Sequence, residues 1–155
     1  MKRPTSWNIK AILVGFVAEF FGAIIVAVVI FIPVASIMSA RGASEEQIEH
    51  VLWVQLPFLL CWLVLYSLLA VFGGFVAAHI AGHDEMWHAA AKGALIIAVG
   101  IASFFLLPDD KSPAWFDALS SMLVLPCSIL GGYLRSKWPR RESPQAPTHP
   151  PIPEP

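Results

Sequence analysis

The chain has 155 residues, of which 57% are hydrophobic and 14% charged, and its formal net charge is −1. Soluble domains carry about 25% charged residues, so this shortage of charge, together with long apolar runs, points to a membrane protein. The charge balance offers no basic footprint for nucleic acid, and none is expected as a partner.

The first apolar run, Ala11 to Met38, is longer than the hydrophobic region of a removable signal peptide and ends in no small-residue cleavage site, so an uncleaved span is expected. Within it, "GFVAEFFGAII" (residues 15 to 25) places a carboxylate, Glu19, in lipid-compatible sequence. Crossing about 30 Å of hydrocarbon takes about 20 helical residues. Runs near Val51–Ile80, Ala89–Leu107 and Trp115–Leu134 also qualify. The fold expected is an all-α integral membrane bundle of four helices in two antiparallel pairs. The helices lie roughly at 11–37, 45–81, 88–107 and 114–137, within one domain of residues 1–138.

Four spans put both termini on one side. Lys2, Arg3, Lys10, Lys92, Arg135, Lys137, Arg140 and Arg141 then share that side, against Arg41 and Lys111 opposite. The bias places both termini in the cytoplasm. Trp7, Trp87 and Trp138 fall at the inner boundary, and Trp53 and Trp115 at the outer one, where amphipathic rings prefer to sit. In the outer segment, Ser44 followed by Gln47 has capping-box spacing, so the second helix is expected to begin near Glu45. It is then expected to continue through Pro57. The fourth helix should kink at Pro126.

Small residues mark the packing faces, because helices in lipid associate by close backbone contact. In the second helix Gly73 and Gly74 open stripes that continue through Ala78 and Gly82. Ala90, Ala94 and Ala98 recur at the same interval in the third. The two stripes are expected to face each other in a tight hairpin. Gly15 and Gly22 flank Glu19 on the first helix, and Gly131 and Gly132 mark the fourth.

The stretch "GGFVAAHIAG…HAAAKGAL" resembles the central hairpin of small four-span bacterial inner-membrane proteins of unassigned function. His79 stands where those proteins usually carry arginine. "VAEFFG" resembles, over Ala18, Glu19 and Gly22, the first helix of the small multidrug resistance exporters. That likeness implies a glutamate that exchanges protons for lipophilic cations. The long outer loop, the third span without tryptophan or tyrosine, and the proline-rich tail depart from that family.

An acid at a membrane-helix centre is unfavourable by about 2.5–3.5 kcal/mol on insertion scales, so Glu19 should face the bundle. No base is expected at its depth, because Lys92 is placed at the headgroups. Glu19 is therefore read either as a protonated carboxyl bonded to Ser67, Ser128 or the carbonyl freed by Pro126, or as a proton or ligand site. In the inner turn, His79, His83 and His88 are the nearest approach to a metal set, but the order is not HExxH and no metal is expected. Cys61 and Cys127 lie in apolar runs, as small hydrophobes. The tail, residues 139–155, holds seven prolines and should be a disordered cytoplasmic extension. No nucleophile–base pair or phosphate loop is present, so no enzyme and no cofactor are expected. The partners expected are the lipid bilayer and either further copies of the chain or larger membrane proteins.

Overall fold

The computed structural model describes residues 7–106 and 112–138, and over these the chain is all helical. The helices are α1 (Ile9–Ala40), α2 (Glu45–Val54), α3 (Leu56–Ala81), α4 (Glu85–Leu106) and α5 (Ala114–Lys137). All but α2 are long and apolar enough to cross a membrane, four candidate spans in total. The proline-rich tail, together with Lys2, Arg3, Lys111, Arg140 and Arg141, lies outside the described residues.

Asn8 caps α1, its side-chain oxygen accepting the N–H of Ala11 at 3.2 Å. The helix runs 32 residues, about 48 Å at 1.5 Å per residue, and passes through Pro33 without ending. Gly42, at φ +83°, turns the chain toward α2. The capping box at the start of α2 is present: Ser44 Oγ accepts from Gln47 N–H, and Gln47 Oε1 accepts from Ser44 N–H.

The continuous helix expected over 45–81 is instead two. It breaks at Gln55, which is extended at φ −72° and ψ 125°. Pro57 explains the break. It has no N–H for the carbonyl four residues back, at Trp53, and its ring would crowd that carbonyl. Restarting the helix places Pro57 in the first turn of α3, where an N–H would be unbonded anyway. The short α2 is thereby freed to pack separately, with Leu52 buried and Trp53 against Phe31 of α1. Downstream, α5 is a single helix through Pro126.

α3 sits at the centre of the bundle. Its contacts with α5 come in the same order along both helices: Leu59 and Leu63 with Phe116, Gly74 with Ser128, His79 with Arg135. Its contacts with α1 run in opposite order, from Phe58 and Trp62 against Phe31 to Ala77 against Gly15. One end of the bundle, here the terminal end, therefore carries the start of α1, the α3–α4 turn and the finish of α5. The other, distal end carries an apolar cluster of Leu59, Leu63 and Phe116, flanked by Trp62 and Leu123.

The small residues pack differently from the facing stripes expected. Gly74 lies against the backbone of Ser128, and Gly131 against the backbone of Val71 and Phe75, so the two double-glycine motifs meet at one α3–α5 crossing. Gly73 and Ala77 face Gly15 of α1, and Gly22 lies beside Leu69. Ala78 is buried, and Gly132 packs on Ala89 of α4. On α4 the face turned inward is Glu85, His88, Ala89, Lys92 and Gly93, whereas Ala90 is half-buried and Ala94 and Ala98 are exposed. The reason is helical register. A carboxylate, an imidazole and an ammonium group occupy the same face, and that face must turn from lipid. Gly82 ends α3 at φ +67° with open space around it, a left-handed cap rather than a packing contact. Beyond Ala98 the distal half of α4 separates from its neighbours. Residues 98–102 are exposed in succession, more than a full helical turn.

Backbone contact at the crossing means that Gly131→Ala should destabilise the bundle by about 1–3 kcal/mol, as overpacked sites do. Gly100→Ala, with nothing within 4 Å of its added methyl, should be neutral or mildly stabilising. Unfolding of both variants in mixed micelles checks this; equal midpoints would refute the close α3–α5 crossing.

Candidate functional site

Glu19 does face the bundle, and it meets a base there. The Lys92 ammonium donates to Glu19 Oε2, an ion pair whose side chains are 0% and 3% exposed. This corrects two expectations, that no base shares the depth of Glu19 and that Lys92 sits at headgroups. The correction follows from where α4 begins. The expected start at residue 88 left Lys92 four residues in, about 6 Å, within snorkelling reach of water. With Glu85 as the first residue, Lys92 is seven residues in, about 10 Å, and its face points inward.

The remaining two ammonium hydrogens are also bonded. Lys92 Nζ donates to Ala70 O at 3.3 Å and to Ser128 Oγ at 3.2 Å. Four helices therefore meet at one cation: α1 by Glu19, α3 by the Ala70 carbonyl, α5 by the Ser128 hydroxyl, and α4 itself. Ser128 thus serves Lys92 rather than Glu19, and Ser67 donates to its own helix, at Leu63 O, 2.8 Å away. Gly73 makes the meeting possible, because a Cβ there would lie 2.7 Å from Glu19 Oε2 and 2.9 Å from Lys92 Cε. The other carboxylate oxygen, Glu19 Oε1, is buried and has no hydrogen-bond partner among the described residues.

A second polar cluster lies at the terminal end. His88 is fully buried. Its Nε2 accepts the backbone N–H of Asn8 at 3.0 Å, and its Nδ1 lies 3.1 Å from Asp84 O. A backbone N–H can only donate, so Nε2 carries the lone pair and Nδ1 the proton, which it donates to Asp84 O. His83 stands edge-on to His88 at 5.2 Å between ring centroids, with its Nδ1 2.6 Å from Ala81 O. Asp84 takes φ +45° to close the turn. His79 is engaged elsewhere, accepting from Arg135 Nε at 2.9 Å and stacking on Phe75. Among the described residues no three His, Cys, Asp or Glu side chains gather as a metal set.

Four membrane-length helices around a buried charged core define a small multi-pass membrane protein. No family model matches the chain, and neither the curated proteins nor the solved structures searched contain a match to it. The chemistry of the site therefore rests on its own residues.

Breaking a buried ion pair by removing one partner strands the other charge, at about 3–5 kcal/mol. Lys92→Met should cost about that much in unfolding free energy. Glu19→Gln/Lys92→Met, which removes both charges, should recover a large part of the loss. A double variant as unstable as the sum of the singles would mean that the two side chains are not coupled.

Proposed function

We propose that the protein is a non-enzymatic component of the cell inner membrane, with both termini cytoplasmic, that packs with itself or with larger membrane proteins. The observation that carries this reading is the closure of the charged site. All three hydrogens of Lys92 are bonded inside the bundle, so the only counter-ion Glu19 needs is built into the chain. Such a pair ties helices together and leaves the outer surface for association. That surface is broad and apolar, with Phe20, Phe21, Ile25 and Val29 of α1 and Phe104 and Phe105 of α4 more than half exposed. The described basic side chains outside the bundle core support the orientation, with Lys10, Arg135 and Lys137 toward the terminal end and Arg41 toward the distal end.

A second reading, a proton-coupled exporter of small cations, is favoured by the unbonded Glu19 Oε1 and by the likeness of "VAEFFG" to the small multidrug resistance exporters. It requires a cation to displace Lys92 from Glu19, and the displaced buried ammonium, left without its counter-ion, to give up its proton to water.

The two readings separate on adding a lipophilic cation to the purified protein, wild type beside Glu19→Gln, and following proton release, with native mass spectrometry from lipid nanodiscs on the same samples. The proposed function predicts no release from either protein and a discrete oligomer or hetero-complex. Release from wild type alone would replace it with the exporter.

A further inference from the structure

α3 and α5 finish side by side at the terminal end, and their last turns share one polar joint. Arg135 Nε donates to His79 Nδ1 at 2.9 Å, and Arg135 Nη1 donates to the Trp138 carbonyl at 3.3 Å. Aromatic contacts brace it: the His79 ring stacks on Phe75 at 6.2 Å between centroids, and Trp138 stands edge-on to Phe75 at 6.1 Å. The joint leaves donors over. Nδ1 of His79 accepts, so Nε2 carries the ring proton and can donate. A guanidinium has five N–H groups, and two are used here, which leaves three on Nη1 and Nη2. Both acceptors of Arg135 are neutral, so neither cancels its charge.

We propose that this α3–α5 joint binds the phosphate of an anionic phospholipid, held by Arg135 and by His79 Nε2–H. Depth supports a lipid as the source of that phosphate. Arg135 lies twenty-one residues beyond the start of α5, about 32 Å, and His79 twenty-three beyond the start of α3, about 35 Å. The hydrocarbon core is about 30 Å thick, so the donors stand just past it, at the level of lipid phosphates. Two and three turns back toward the bilayer centre, the face of α3 that carries His79 presents Phe72 and Leu68. Both are more than half exposed, and an acyl chain lies along them. Trp138, also more than half exposed, sits at the headgroup boundary that amphipathic rings prefer. Charge is complementary as well. The carbonyl ends of α3 and α5 each carry about half a negative charge. Against these stand a full positive charge on Arg135 and another on Lys137, which lies over the Tyr133 ring at 5.3 Å. The carboxylates described at this end, Asp84 and Glu85, belong to the turn before α4 and its first residue, and Glu85 is buried with an interaction of its own.

The test titrates the full chain, in a neutral detergent, with dioleoyl phosphatidylglycerol, and reads bound lipid by native mass spectrometry. Dioleoyl phosphatidylcholine is the zwitterionic comparison. Wild type should retain one phosphatidylglycerol at concentrations where phosphatidylcholine is not retained. Arg135→Gln should weaken that binding about tenfold, as expected for the loss of a charge-assisted hydrogen bond. His79→Phe keeps a stacked ring but removes the donor, and should weaken it by a smaller factor. Lys10→Gln removes a cation from α1 at the same end and should leave it unchanged. Equal retention of both lipids would overturn the proposal. So would equal weakening by Arg135→Gln and Lys10→Gln, which would reduce the site to diffuse attraction. Displacement of the lipid by millimolar inorganic phosphate, at constant ionic strength, would assign the site to the free ion and overturn the lipid. If Arg135→Gln does not fold, a phosphatidylglycerol with a photoreactive headgroup decides on the wild type. Its cross-links must fall on the ends of α3 and α5 around His79 and Trp138, and cross-links elsewhere would overturn the site. Oligomeric state enters neither readout, so failure here leaves the proposed function standing.

Discussion

The bundle is organised around one ammonium group. Lys92 cannot reach water, and an unpaired charge at that depth would be intolerable, so each of its three hydrogens needs an acceptor. The acceptors come from three other helices: a carboxylate, a carbonyl and a hydroxyl. Bringing three backbones that close to a single nitrogen requires that the intervening side chains be absent. Gly15 and Gly73 clear the approach of α1 to α3, Gly74 and Gly131 that of α3 to α5, and Gly93 that of α4 to α5. Charge and small residues are thus two halves of one device. Lipid gives helices no hydrophobic reason to associate; the pair gives a polar reason, and the glycines let it be satisfied.

Much of this architecture was legible in the residues. The apolar runs defined the spans, and Ser44 with Gln47 marked the start of α2. The acid in "VAEFFG" had to turn inward. Besides the facing stripes of α3 and α4, two features escaped. Pro57 read as a proline tolerated within a long helix. It ends one helix and begins another, because a polar turn could be accommodated at Gln55, near the distal end. Lys92 read as a headgroup anchor because the helix was thought to start near residue 88. The missing signal lay in the register of α4, where Glu85, His88, Ala89, Lys92 and Gly93 trace one stripe. A polar stripe of that kind, on a helix otherwise flanked by alanine and isoleucine, is a buried face rather than a solvated one.

The histidine cluster shows the limit of reading spacing alone. His79, His83 and His88 lie close in sequence, yet each takes a different partner: the Arg135 guanidinium, the Ala81 carbonyl, and the Asn8 and Asp84 backbone. What divides them is the end of α3. Gly82 and Asp84 take left-handed conformations that swing the chain around, so His79 stays on α3 while His88 is carried under the start of α1. Backbone conformation of that kind depends on tertiary closure and leaves only a faint trace in composition.

The distal half of α4 has a mechanical consequence. Near Lys92 the helix is clamped on several sides, but residues 98–102 are exposed in succession among the described residues. A rod held at one end and free at the other bends where restraint stops, here close to Gly100. When a helix and its bilayer differ in hydrophobic thickness, the mismatch is relieved by tilt or by deformation of the lipid. Such tilt is expected first in the sparsely packed half of α4, because the ion pair and the glycine crossings hold its other half. Changes in membrane thickness would thus reach the finish of α4, toward Leu106, before they reach the charged core.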